Sequence, residues 1–144
     1  MPRAWSKRLL TLAAPALLAG CALDTSSYVL APPDHAITLA RYQNWFWQNE
    51  LYVDVTALGL PECQGGGRIE QVPRDAELIL YRAPEDYAEP LFILRLDERY
   101  YAVSTQSCRM QAFAQPPADS GVELGRFAER DGGFRFVPAT AKDS

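Results

Sequence analysis

Short apolar runs, broken every few residues by proline, glycine or paired acids, fill most of this chain beyond residue 45. Residues 77–82 (ELILYR), 91–96 (LFILRL), 99–105 (RYYAVST), 109–113, 122–129 and 134–137 are each long enough for a strand and too short for a globular helix. Pro84, Pro90, Pro116 and Pro117 punctuate the gaps, where a missing N–H costs no ladder hydrogen bond. Asp97-Glu98 leaves a two-residue gap suited to a hairpin. Asp131-Gly132 is the stronger turn signal, because both central residues of a type I′ turn need positive φ. With no long helical period among them, these runs predict an all-β fold, an antiparallel sandwich or small barrel of about six to seven short strands.

The clearest alternation lies in residues 45–57. Trp45, Trp47, Leu51, Val53, Val55 and Ala57 share one face, while Gln48, Glu50, Asp54 and Thr56 share the other. Asn49 interrupts the apolar face, and Phe46 and Tyr52 interrupt the polar one. Residues 36–44 (AITLARYQN) admit two readings. Asp34 can cap a helix there, but Ile37, Leu39 and Arg41 also alternate as in a strand; a short helix is the preferred expectation. The layout of residues 76–105 is strand, acidic Pro-containing loop, strand, tight turn, strand. In outline it is similar to bacterial SH3-like barrels, without a shared residue motif.

At the other end of the chain, residues 9–19 (LLTLAAPALLA) carry no charge and follow Arg3, Lys7 and Arg8. A basic flank, a short apolar run and a small-residue end make an export signal too short to span a bilayer comfortably. It ends Leu18-Ala19-Gly20-Cys21, which resembles the bacterial lipoprotein lipobox. The resemblance covers the first 21 residues and names a processing class rather than a domain family. It implies cleavage before Cys21, a diacylglycerol thioether on its sulfur, and acylation of the new amino group with a fatty acid such as palmitate. Each buried methylene adds about 0.8 kcal/mol, so two or more chains anchor stably. A simple secreted protein with an incidental Cys21 is the alternative. Ala22 stands where inner-membrane retention signals place Asp, which implies the outer membrane, facing the periplasm.

The expected organisation is then a cleaved signal over residues 1–20 and a lipidated, flexible tether over 21–35. A single β-rich periplasmic domain follows over 36–138, with a loose tail over 139–144. Residues 22–35 (ALDTSSYVLAPPDH) are small, polar and proline-containing, as a tether requires. The signal holds three of the 14 Lys and Arg and none of the 18 Asp and Glu, so the remainder carries about −7. Such a domain repels nucleic acid and favours solubility or a basic partner. With Cys21 lipidated, Cys63 and Cys108 remain in an oxidising compartment and are expected to pair. Closing that loop stabilises by about 4 kcal/mol in the chain-entropy model.

Catalytic and cofactor signals are weak. Nucleophilic catalysis needs a base beside the nucleophile, and the single histidine, His35, falls in the expected tether. Gly65-Gly66-Gly67 lacks the Lys-Ser/Thr of a phosphate cradle and reads as a flexible loop. Glu85, Asp86 and Glu89 neighbour one another, as do Asp97 and Glu98. Either set could serve a glycosidase, yet among eighteen acids such neighbours are unavoidable. The first group also lacks the Asp/Asn/Gly register of a calcium loop. Neither metal nor cofactor is expected, and the chain reads as non-enzymatic.

The local excess is aromatic: Tyr42, Trp45, Phe46 and Trp47, then Tyr100 and Tyr101. Large side chains fill the core of a small β domain, and those left outside suit a protein interface. Phe46 and Tyr52 are the expected exposed pair, and with Glu85, Asp86 and Glu89 they form the candidate partner-binding set. The expected function is a lipid-anchored adaptor or structural accessory of the bacterial envelope. The alternative is an inhibitor or immunity protein against a periplasmic hydrolase such as a lysozyme-like muramidase or amidase. Lysozyme-inhibitor families carry a Ser-Gly loop, and Ser120-Gly121 is present here without its usual surroundings.

Overall fold

Sequence alternation becomes alternation in burial most cleanly in the strand Glu50–Gly59, where Leu51, Val53, Val55 and Ala57 point inward and Tyr52, Asp54 and Thr56 point outward. The computed structural model describes residues 22–31 and 34–140; the expected signal over residues 1–20, the expected lipidation site Cys21 and residues 141–144 of the expected tail lie outside them. Ten strands follow in chain order: β1 (Ala22–Ala31), β2 (His35–Tyr42), β3 (Glu50–Gly59), β4 (Cys63–Pro73), β5 (Leu78–Arg82), β6 (Phe92–Leu96), β7 (Arg99–Val103), β8 (Met110–Ala112), β9 (Val122–Arg130) and β10 (Gly133–Pro138). They form two antiparallel sheets, β1-β2-β3-β4 and β10-β9-β5-β6-β7-β8. β10 lies against β1 and β8 against β4, so the sheets meet at both edges and enclose one core.

The all-β reading holds, with ten strands rather than six or seven. Residues 36–44 form no helix: His35–Tyr42 is β2, with Ile37 and Leu39 wholly buried. The expected tether is mostly β1, which pairs with β2 from Ala22↔Tyr42 to Ala31↔His35. β1 thus begins one residue after Cys21. At the other end, the Ala139 N–H donates to the Leu124 carbonyl, so the chain stays attached into the expected tail.

Ile37, Leu39, Val53, Val55, Ile69 and Val72 from the first sheet meet Leu78, Leu80, Leu94, Leu96, Val103 and Phe127 from the second. Each such side chain contributes about 1.5–3 kcal/mol on leaving water. Ile69 and Val72 are three residues apart, which in a regular strand would put them on opposite faces. A β-bulge resolves the conflict. Between the pairs Val53↔Ile69 and Leu51↔Val72, both Glu70 and Gln71 lie opposite Tyr52, and Gln71 adopts a φ of 54°. From β7, the Arg99 guanidinium donates to the carbonyls of Glu70 (2.8 Å) and Gln71 (3.0 Å), satisfying the bulged backbone across the sheets.

Arg41 occupies an inward position of β2 and is 5% exposed. Its guanidinium donates to both carboxylate oxygens of Asp24 in β1, lies 3.5 Å from Glu129 in β9 and rests 4.3 Å from the ring centre of Phe134 in β10. Four strands from both sheets therefore share one cation.

Gly65-Gly66-Gly67 lies within β4, not in a loop. A side chain on Gly65 would strike the Cys108 carbonyl, and one on Gly66 the Val55 carbonyl. Gly65 and Gly67 let the segment around β8 lie flat on β4, where Cys63 and Cys108 form the expected disulfide with Cα atoms 5.8 Å apart. Asp131 (φ 53°) and Gly132 (φ 75°) make the two-residue turn between β9 and β10, and Asp97-Glu98 makes the one between β6 and β7.

Candidate functional site

Strand register places the loops at two ends, except that residues 113–121 run back along the sheet from β8 to the start of β9. Ala22 pairs with Tyr42, and Glu50 pairs with Pro73. The start of β1, the β2–β3 loop (residues 43–49), residues 73–77 and the β6–β7 and β9–β10 turns therefore share one end. The opposite end holds the β1–β2 turn, the β3–β4 turn, residues 83–91 and residues 104–109. The candidate residues divide between these ends: Phe46 and Tyr52 lie toward the first, Glu85, Asp86 and Glu89 at the second. They do not form one site.

At the first end, residues 45–49 do not extend β3 as the alternation implied. The Gln48 N–H donates to the Trp45 carbonyl (3.0 Å), closing a turn with Phe46 and Trp47 at its corner. Gln43 Nε2 donates to the Gln48 carbonyl and ties the loop to its base (2.6 Å). Phe46 is exposed as expected (74%), and Trp47 (61%) and Trp45 (48%) are exposed with it. The two indoles stack with centres 5.2 Å apart, and Phe46 meets Trp47 edge-on at 4.8 Å. These rings pack on one another instead of on the core.

Tyr52 differs from the expectation. Its outward ring stacks on Tyr42 (5.1 Å, 10°) and carries the Arg68 guanidinium 4.0 Å above it. Asp54 fixes Arg68 with two hydrogen bonds of 2.6 and 3.0 Å and holds it above the ordinary guanidinium range. Tyr52 is thus half covered and serves the outer face of the sheet. Between the loop and the bulge of β4 lies an open polar cleft of about 500 Å³, lined by Asn44, Gln48, Asn49, Tyr52, Arg68 and Glu70.

At the second end, the Ala83 N–H donates to the Leu91 carbonyl and closes the base of the loop between β5 and β6. Glu85 and Asp86 are exposed and form no ion pair among the described residues. Glu89 is half-buried and accepts a hydrogen bond from Ser107 Oγ (2.9 Å). Ser104 Oγ in turn accepts from the N–H groups of Gln106 and Ser107. That short chain of bonds couples the acidic loop to the turn held by Cys108. A cleft of about 390 Å³ beside it is walled by Pro84, Tyr87, Pro90 and Phe92.

His35 begins β2, paired with Ala31 and Gly59, and so belongs to the domain rather than to a tether. Among the described residues no three His, Cys, Asp or Glu gather as metal ligands would. Sequence reasoning placed Arg41 in an alternation with Ile37 and Leu39 but missed its pairing with Asp24, which lies in the segment read as a tether. Comparison with family models, curated proteins and solved structures finds no match to this chain.

Proposed function

We propose that this protein is a non-enzymatic, lipid-anchored lipoprotein of the bacterial envelope, facing the periplasm from the outer membrane, whose domain holds another envelope protein as an adaptor or structural accessory. One observation carries the reading: the loop bearing Glu85 and Asp86 lies at the end opposite Ala22, the residue that follows the lipobox cysteine. A chain anchored at Cys21 presents that loop away from the membrane. Pro84, Tyr87 and Pro90 supply apolar contact, and the exposed Glu85 and Asp86 select a partner with basic side chains. Because the loop is closed at its base and bonded to the disulfide-held turn, little ordering cost accompanies binding.

The same rigid acidic loop also suits the alternative, inhibition of a basic murein hydrolase, and one experiment separates the two. A photo-crosslinking residue is placed at Tyr87 in the native lipoprotein, and a control at Thr56 on the sheet. The expected result is one defined adduct from Tyr87 only, weakened when Glu85 and Asp86 are both changed to Lys. A captured hydrolase whose turnover stops at one equivalent of lipoprotein identifies an inhibitor. A captured non-hydrolytic assembly component identifies an adaptor. Adducts indifferent to the crosslinker's position or to the charge change overturn the loop as the binding surface.

A further inference from the structure

Besides the acidic loop, the domain carries an exposed apolar group at its other end. Trp45, Phe46 and Trp47 are joined there by Leu23, 41% exposed, which is the extra residue of a bulge between the pairs Ala22↔Tyr42 and Asp24↔Arg41. β1 and β2 are adjacent strands, about 4.8 Å apart. The aromatic loop springs from the end of β2, beside the residue to which Cys21 is covalently joined.

We propose that Leu23 and the Trp45-Phe46-Trp47 loop insert into the bilayer interface as a second anchor beside the acyl chains on Cys21. This rests on the lipoprotein reading. What selects a bilayer as the occupant is where the rest of the chain leads: residues 1–21 end in a lipobox cysteine, and β1 starts at the next residue. Only Ala22 and Leu23 separate Cys21 from Asp24, which is held by Arg41, so a lipid on Cys21 keeps this end of the domain at the membrane surface. Indole rings favour the water–lipid boundary, where the ring meets acyl chains and the N–H meets headgroups. At the same end the exposed acids Glu50, Asp75, Asp97, Glu98 and Asp131 outnumber the exposed cations Arg74 and Arg130, so the net charge there repels anionic headgroups. Insertion is therefore apolar in origin and resists salt. Two anchoring points fix the orientation of the domain, which a single flexible one leaves free.

Removal of the signal takes Trp5 with it, leaving Trp45 and Trp47 as the tryptophans of the mature protein. Native fluorescence then reads the loop without a label. The mature lipoprotein is reconstituted in phosphatidylcholine–phosphatidylethanolamine vesicles with brominated acyl chains, and its intact mass reports acylation of Cys21. The expected result is blue-shifted emission, quenched by bromine and unchanged at high salt. Leu23→Asp with Phe46→Asp shifts the emission back to the red and relieves the quenching. Acylated protein with red, unquenched emission overturns the insertion and leaves the lipoprotein reading standing. Blue-shifted but unquenched emission means that a second copy or another protein surface covers the loop, which also overturns it. A mass without diacylglycerol on Cys21 removes the lipoprotein reading, and the proposal with it.

Discussion

Arg41 and Asp24 form a two-pronged ion pair, with Nε and Nη2 of the arginine each 2.7 Å from a carboxylate oxygen, at a position where alternation along β2 calls for an apolar side chain. The hydrogen bond to Asp24 is the foremost cause that holds Arg41 above the ordinary guanidinium range, against the opposing effect of burial. The two partners are unequally placed: the arginine side chain is 6% exposed and the aspartate 27%.

That inequality predicts unequal costs. Asp24→Asn leaves a buried cation whose remaining carboxylate partner is Glu129 at 3.5 Å, and lowers stability by about 3 kcal/mol. Arg41→Met leaves a carboxylate that water can reach, and a side chain that packs on Phe134, so its cost is smaller. Urea denaturation of both single variants and the double variant measures the difference. A larger loss for Arg41→Met contradicts this account.

Removing the disulfide gives a second expectation. Cys63 and Cys108 pin the start of β4 to the segment before β8, at the end that carries the acidic loop. Cys108→Ser lowers stability by about 2–5 kcal/mol. Because Ser107 bonds Glu89, hydrogen exchange in residues 83–91 accelerates as well. An unchanged melting temperature contradicts the expectation.

The bulge in β4 offers a stabilising change. Gln71 is exposed and holds a left-handed φ of 54°, which disfavours a side chain. Gln71→Gly raises stability by about 0.5–1 kcal/mol, while Gln71→Val lowers it, with Arg99 still donating to the backbone in both. Thermal melts of the three proteins rank them, and the opposite order sinks the explanation.

Acid titration tests the network on the second sheet. Glu77 accepts hydrogen bonds from Arg130 (2.7 Å) and Arg126 (2.8 Å), and these, the Arg130 bond first, hold its carboxyl below the usual glutamate range. A lowered folded value means that this pairing stabilises the fold above the ordinary glutamate pKa. The contribution fades as pH falls through the lowered value. With the carboxylate about a third exposed, screening keeps it under about 1 kcal/mol. The Glu77 carboxyl resonance should titrate below the ordinary glutamate range, and Glu77→Gln should reduce the acid sensitivity of the melting temperature.

How far the sequence announced this fold depends on how each strand meets the core. β3 was legible from Leu51 onward because its inward residues are aliphatic and most of its outward ones polar. β5, β6 and β7 were legible as short apolar runs between turn signals. β1 was not, because its polarity runs against the rule: Asp24 and Ser26 lie on its more covered face, and Leu23 and Val29 on its exposed one. β2 hid behind the helix-capping signal of Asp34, and β4 behind three glycines whose purpose is close approach rather than flexibility. The aromatic cluster was visible in composition, but its exposure depends on the turn closed by Gln48. No periodicity argument contains that bond.

The strand order also dictates a sequence of events for a chain that emerges from its N-terminus. In the first sheet each strand pairs with the one made just before it, so β1 to β4 can zip together as they appear. β5 has no such freedom. One of its edges accepts β6 at once, while the other must wait for β9, which is made after β6, β7 and β8. Through that interval Leu78 and Leu80 sit on an open strand edge, a surface prone to pair with other chains. The arrival of β9 and β10 closes that edge and brings Glu129 and Phe134 to Arg41, so the last hairpin to be made completes both the sheet and the cluster around the buried cation.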